Sequence, residues 1–202
     1  VSAVILAGGQ ASRMGGKDKG LILFNQKPLI QYAVNVVSQS VDSIWVSANR
    51  NLDLYQKFGR VVTDELSDYQ GPLAGISATL SQISTKYLLI IPCDGPYVGN
   101  ILLERLSREM LKNQAKICVA SANGHLHPTF ALVEVSIKTP LDAYLASGER
   151  RLGKFFKDNQ ALEVDDMKEG NISEYLEGLY NYEIHLLAEA GNKNSFAEID
   201  EC

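Results

Sequence analysis

The sequence predicts an α/β fold of three layers, a mostly parallel sheet between helices. Two observations predict it. Short apolar runs alternate with amphipathic stretches, the pattern of strands connected through helices. The 202 residues, with an ordinary hydrophobic fraction of 46%, suffice for one such domain with a sizeable core.

The elements follow in order. Val4–Leu6 is a buried strand that opens into a Gly-rich loop. Pro28 suits a first helical turn, and Leu29, Tyr32, Ala33, Val36 and Val37 recur at helical spacing behind it. Ile44–Val46 is a strand that runs into Ser47-Ala48-Asn49-Arg50. A short helix over Leu52–Phe58 is expected to close at Gly59. Val61-Val62 delivers Thr63-Asp64, and Gly71-Pro72 opens a helix carrying Leu73, Ile76 and Leu80. Tyr87–Ile91 is the strongest strand and breaks at Pro92-Cys93-Asp94. Ile101–Leu111 is helical, Ile117–Ala120 is a strand, Asn123-Gly124 a turn, and Thr129–Val135 a returning strand. From about Asp165 the chain turns polar and acidic, and Tyr180–Leu187, with His185 read as structural, is more apolar. Periodicity there supports no element.

Composition excludes several classes. The net charge of −5 argues against broad nucleic-acid binding, which calls for a basic face. Cys93, Cys118 and Cys202 are odd in number and lack metal-ligand spacing, which fits a reducing cytoplasm. No apolar run has the length of a membrane span, so no membrane partner is expected. The chain begins at Val1 inside the first strand, so a few native residues, the initiator Met included, are expected before it.

Ligands of such folds bind beyond the carboxyl ends of the strands. The Gly-rich loop, Asn49, Asp64 and Asp94 all follow predicted strands, so they can face one pocket. The loop Leu6-Ala7-Gly8-Gly9-Gln10-Ala11-Ser12-Arg13-Met14-Gly15-Gly16-Lys17-Asp18-Lys19-Gly20-Leu21 suits a phosphate chain. Its glycines let backbone N–H groups approach phosphate oxygens, and Arg13 and Lys19 supply positive charge. It is neither a P-loop nor a dinucleotide fingerprint: Gly16-Lys17 is followed by Asp18, and no Gly-x-Gly-x-x-Gly occurs. A carboxylate at Asp94 can hold Mg²⁺, or can cap the next element as turn aspartates do.

This loop resembles the signature of sugar-nucleotide-pyrophosphorylase-type nucleotidyltransferases: Leu-Ala-Gly-Gly, then Arg-Met-Gly, then Lys. The Gly15-Gly16-Lys17-Asp18-Lys19-Gly20-Leu21 form is similar to the molybdenum cofactor guanylyltransferase family (molybdopterin-guanine dinucleotide biosynthesis protein A). Pro92-Cys93-Asp94 and Gly71-Pro72-Leu73-Ala74-Gly75 also match that family, as do His127-Pro128-Thr129-Phe130 and Gly148-Glu149-Arg150-Arg151. The likeness runs from about residue 2 to 164. It implies a Rossmann-like nucleotidyltransferase fold in one domain, 1–202, with a nucleotide half over about 1–100 and an acceptor half over about 101–202. It also implies guanylyl transfer from GTP to molybdenum-molybdopterin with Mg²⁺ as cofactor, in the cytoplasm, alongside other cofactor-biosynthesis and acceptor enzymes.

The residues implied are as follows. Lys19, Arg13 and Asp94 are catalytic. Lys19 serves the α-phosphate, Arg13 the leaving phosphates, and Asp94 the metal. GTP binding falls to Leu6, Ala7, Gly8, Gly9, Lys19, Ser47, Asn49, Asp64, Gly71 and Asp94. The acceptor falls to His127, Arg150, Arg151 and Asn194. Asp64 can instead be a cap, and Arg150 or Arg151 a cation at a helix end. Lys17 reads as solvated. The family carries Asn where this chain has Ser47, and its Asn-x-Asn-Thr-Pro-Glu ending survives only as Asn192-Lys193-Asn194-Ser195. His125 and His127 have no third ligand nearby in sequence, which argues against zinc. Two other readings stay open: a related transferase using CTP or UTP on a pterin, sugar or alditol phosphate, and a GTP-binding carrier without turnover.

Overall fold

The computed structural model describes residues 1–8, 18–64, 71–94, 101–122 and 124–165. A seven-stranded sheet runs through it. Its strands are β1 (Ser2–Leu6), β4 (Ser43–Ser47), β5 (Arg60–Val62), β6 (Tyr87–Pro92), β7 (Ile117–Ala122), β8 (His125–Glu134) and β9 (Leu162–Asp165). The order across the sheet is β5-β4-β1-β6-β8-β7-β9. All neighbours are parallel except the two pairings of β8, which returns antiparallel between β6 and β7. A separate hairpin, β2 (Leu23–Phe24) with β3 (Lys27–Pro28), precedes the first helix.

The sheet is covered on both faces, as the unbroken apolar strands require. Ala3, Ile5, Leu89 and Ile91 face one layer, in which Ile30, Ala33 and Val37 of α1 (Leu29–Val37) and Leu102, Leu106 and Met110 of α4 (Ile101–Asn113) are buried. Val4, Leu88 and Ile90 face the other layer. There they meet α3 (Pro72–Leu80), α5 (Lys138–Ala146) and α6 (Leu152–Asp158) through Leu73, Ile76, Leu141, Phe155 and Phe156. A fully buried side chain of this kind is worth roughly 1.5–3 kcal/mol, so alternation along β1 and β6 sets both layers.

The expected elements recur in order, joined by α5, α6, β9 and the β2–β3 hairpin, and details differ. The helix after β4, α2, covers only Leu52–Tyr55. Gly59 does not cap it in a left-handed conformation. It lies where β4 passes close by: a Cβ there would meet the Ile44 carbonyl oxygen at 2.8 Å. Pro28 stands just before α1, in extended conformation at the end of β3. The β2–β3 hairpin turns on Asn25 and Gln26, both with positive φ, the geometry of a two-residue type I′ loop.

Chain order explains where a ligand fits. From β1 the chain steps to β4 and β5 on one side, then crosses back to β6 on the other. That reversal makes a topological switch point between β1 and β6, and folds of this kind bind ligands beyond the carboxyl ends of the strands there.

Candidate active site

Four strands end in register at this edge of the sheet. Leu6 pairs with Ser47 on one side and Pro92 on the other, and Ser47 pairs with Val62. The ladder continues one residue past the strands. Ala7 N–H donates to the Ser47 carbonyl (2.8 Å), Cys93 N–H to the Leu6 carbonyl (3.1 Å), and Ala48 N–H to the Val62 carbonyl (3.1 Å). These bonds hold Ala7-Gly8, Ala48-Asn49, Thr63-Asp64 and Cys93-Asp94 side by side. The Asn49 side-chain oxygen accepts from the Asp64 backbone N–H at 3.2 Å and ties the β4 and β5 loops together. A Cβ on Gly8 would lie 4.0 Å from Asn49 Nδ2.

The charges meet across the switch point. Lys19 Nζ lies 3.2 Å from Asp94 Oδ2, with both side chains partly exposed. Seventy-five residues separate them in sequence. Among the described residues, no group of three or more His, Cys, Asp and Glu side chains is arranged around a metal position. Asp94 offers a divalent ion one carboxylate, which water and substrate oxygens would complement. That donor set fits Mg²⁺, which uses one or two carboxylates plus phosphates rather than an all-protein cage.

Ser47 turns its side chain under the first turn of α3. A Cβ on Gly75 would lie 2.9 Å from the Ser47 Cβ and would overlap its hydroxyl, so only glycine admits this approach. Gly71 precedes α3 with φ +77, a conformation that side chains rarely adopt. The nearest atom to a Cβ built on it is the Arg150 carbonyl oxygen, at 3.9 Å. The loop after α5 thus stands against the start of α3.

Arg150 Nη1 donates to the carbonyls of Leu145 (2.8 Å) and Glu149 (2.7 Å) and satisfies the end of α5. Arg151 precedes α6 with its side chain 74% exposed, and its Nε lies 4.0 Å from Glu149 Oε2. His127 lies on β8, one residue before Pro128, whose ring would meet a Cβ on Gly153 of α6 at 3.3 Å. Burial, and then neighbouring His125, hold the His127 imidazole below its ordinary pKa. Its Nε2 is buried without a hydrogen-bond partner among the described residues.

Sequence reasoning assigned no role to Asp18, and the structure gives it a prominent one. Its side chain is 4% exposed. It accepts from the Tyr55 hydroxyl and from Asn51 Nδ2 (3.1 Å), and lies 3.3 Å from Arg50 Nε. A buried carboxylate requires such partners. Burial, then the bond to Asp18, holds the Tyr55 phenol well above its ordinary pKa. One signal was available: an acid inside a loop built for phosphates repels its ligand unless a cation neutralises it. Gly9, Arg13, Lys17, His185, Asn194 and Cys202 lie outside the described residues.

Comparisons with known proteins show the family and the fold. The family model for the MobA-like NTP transferase domain matches residues 3–164, ending within β9. The molybdenum cofactor guanylyltransferase of Histophilus somni is 42% identical over 166 residues, 82% of this chain and 85% of the relative. That of Vibrio atlanticus is 46% identical over 157 residues, 78% of this chain and 80% of the relative. Among solved structures, molybdopterin-guanine dinucleotide biosynthesis protein A from Archaeoglobus fulgidus superposes with a TM-score of 0.70 at 19% identity, over 87% of this chain and 89% of that one. The same fold recurs in 4-diphosphocytidyl-2C-methyl-D-erythritolsynthase from Anaerococcus prevotii, with a TM-score of 0.64 at 14% identity over 81% and 86% of the two chains. The protein is therefore an enzyme of the nucleotidyltransferase class. The chain belongs to the MobA-like NTP transferase family, among the molybdenum cofactor guanylyltransferases. Among the described residues, no helix is long and apolar enough to cross a membrane.

Proposed function

We propose that this enzyme transfers GMP from GTP to molybdenum-molybdopterin and releases pyrophosphate. The pairing of Lys19 with Asp94 at the β1/β6 switch point carries the reading: a cation and a metal-capable carboxylate meet where a triphosphate enters. A terminal phosphate oxygen of the pterin attacks the α-phosphorus in line. The new P–O bond forms there, the bond to the bridging oxygen breaks, and pyrophosphate leaves with the electron pair. The attacking phosphate is already anionic, so no protein nucleophile is required.

Catalysis is then positioning and charge stabilisation. The amides of Gly8 and Gly9 and the Lys19 ammonium cradle the phosphates, with Leu6 and Ala7 forming the floor. Arg13 takes the leaving pyrophosphate. Asp94 would hold Mg²⁺, and the ion would supply charge neutralisation on the triphosphate. Ser47, Asn49, Asp64 and Gly71 bound the nucleoside. His127, Arg151, Arg150 and Asn194 receive the acceptor. Arg151 is exposed and suited to the pterin phosphate, and neutral His127 offers a ring nitrogen that has no hydrogen-bond partner among the described residues. One domain would serve both substrates, with a nucleotide half over about 1–100 and an acceptor half beyond. The free, buried Cys93 and Cys118 are in keeping with work in the cytoplasm beside other cofactor-biosynthesis and acceptor enzymes.

Base choice tests this reading. Phosphate contacts serve any triphosphate, so the base pocket alone discriminates. A site matched to the guanine edge leaves buried polar groups unpaired with another base, and such selection reaches on the order of 10⁴-fold. GTP with Mg²⁺ is expected to raise the melting temperature, and ATP, CTP and UTP to do so far less. A CTP shift equal to or above the GTP shift would move the enzyme to the cytidylyl branch.

A further inference from the structure

Lys19 has an anchor on each side. Before it, Asp18 is bonded to the Tyr55 hydroxyl and to Asn51 and paired with Arg50. After it, Gly20 lies on the same tyrosine: a Cβ there would sit 2.7 Å from the Tyr55 oxygen and 3.4 Å from the Cys93 Cβ. Tyr55 is itself fully buried, at 0% exposure. Residues 18 and 20 are thus both pinned to the β4–α2 segment, and residue 19 projects between them towards Asp94.

The arrangement has a physical purpose. A lysine side chain is a point charge on a flexible stem and loses considerable rotamer entropy when fixed. Its effect on a reacting phosphate depends on where its backbone is held. A misplacement of about 1 Å can cost on the order of 10²-fold in rate. Arg50 beside Asp18 also offsets a negative charge that would otherwise oppose the polyphosphate.

We propose that Asp18 is a positioning residue for nucleotidyl transfer: clamped by Tyr55, Asn51 and Arg50, it fixes the backbone from which Lys19 reaches the reacting phosphate. The inference rests on the role of Lys19 given above.

A double-mutant cycle tests it. Wild type, D18N, K19A and D18N/K19A are compared by pyrophosphate release with Mg²⁺ and molybdenum-loaded molybdopterin, using whichever nucleoside triphosphate the wild type turns over. Failure of the GTP reading is thereby registered by the wild type alone. D18N is expected to lower kcat by about 10²-fold with little change in the nucleotide KM. In the K19A background the same change is expected to cost less than about threefold, because the group it positions is gone. Equal losses in both backgrounds, or a fully active D18N, would overturn the proposal. Should D18N fail to fold, Y55F keeps Asp18 paired with Asn51 and Arg50, and Y55F with Y55F/K19A runs the same cycle under the same criteria.

Discussion

Replacing Lys19 by alanine is expected to lower turnover by roughly 10²-fold or more, the typical worth of a preorganised charge aimed at the transition state. Lys19 opens a three-residue 3-10 turn, Lys19–Leu21, and its ammonium reaches Asp94 just past β6. Its side chain is 43% exposed, so few packing contacts go with it and the variant is expected to fold. Turnover of the purified variant, with its melting temperature as control, checks this. A wild-type rate in K19A would remove Lys19 from the chemistry.

Asp94→Ala is expected to abolish Mg²⁺-dependent turnover, and Asp94→Asn to keep only weak nucleotide binding. The carboxylate is the charged oxygen donor at the switch point, and asparagine offers a neutral oxygen in its place. Asp94 also balances Lys19 across 3.2 Å, so its loss leaves the cation without its partner. Titrating Mg²⁺ against activity in the asparagine variant separates the two roles. A half-saturating Mg²⁺ concentration equal to that of wild type would put the metal elsewhere.

Sequence and structure agree most closely where periodicity and strand ends carry the information. Ala3–Ile5 of β1, Trp45–Val46 of β4 and Leu88–Ile91 of β6 are buried apolar runs, and burial on both faces leaves such runs no alternative. The polar residues just past β4, β5 and β6, Asn49, Asp64 and Asp94, then fall at one edge because parallel strands share a direction. The elements not anticipated lack such signals. The β2–β3 hairpin turns on Asn25-Gln26 rather than Asn-Gly, and its strands have two residues each. Helices α5 and α6 bury narrow stripes, and β9 pairs with β7 at the end of the sheet among the described residues.

Gly59 shows the limit of reading glycine as a cap, since its constraint comes from Ile44, fifteen residues earlier in sequence. Asp18 shows the limit of motif reading. Its partners Arg50, Asn51 and Tyr55 come from the β4–α2 segment, and only the fold brings them to the loop. Arg150 reads from sequence as an acceptor ligand or a helix-end cation, and its Nη1 donates to the Leu145 carbonyl in α5 and to the Glu149 carbonyl beyond it.

The account stands most directly on the fate of the α-phosphate. GTP labelled at that position, incubated with the enzyme, Mg²⁺ and molybdenum-loaded molybdopterin, is predicted to place its label on the pterin in step with pyrophosphate release. Label that stays in GTP, or that reaches the pterin faster from CTP, would contradict it.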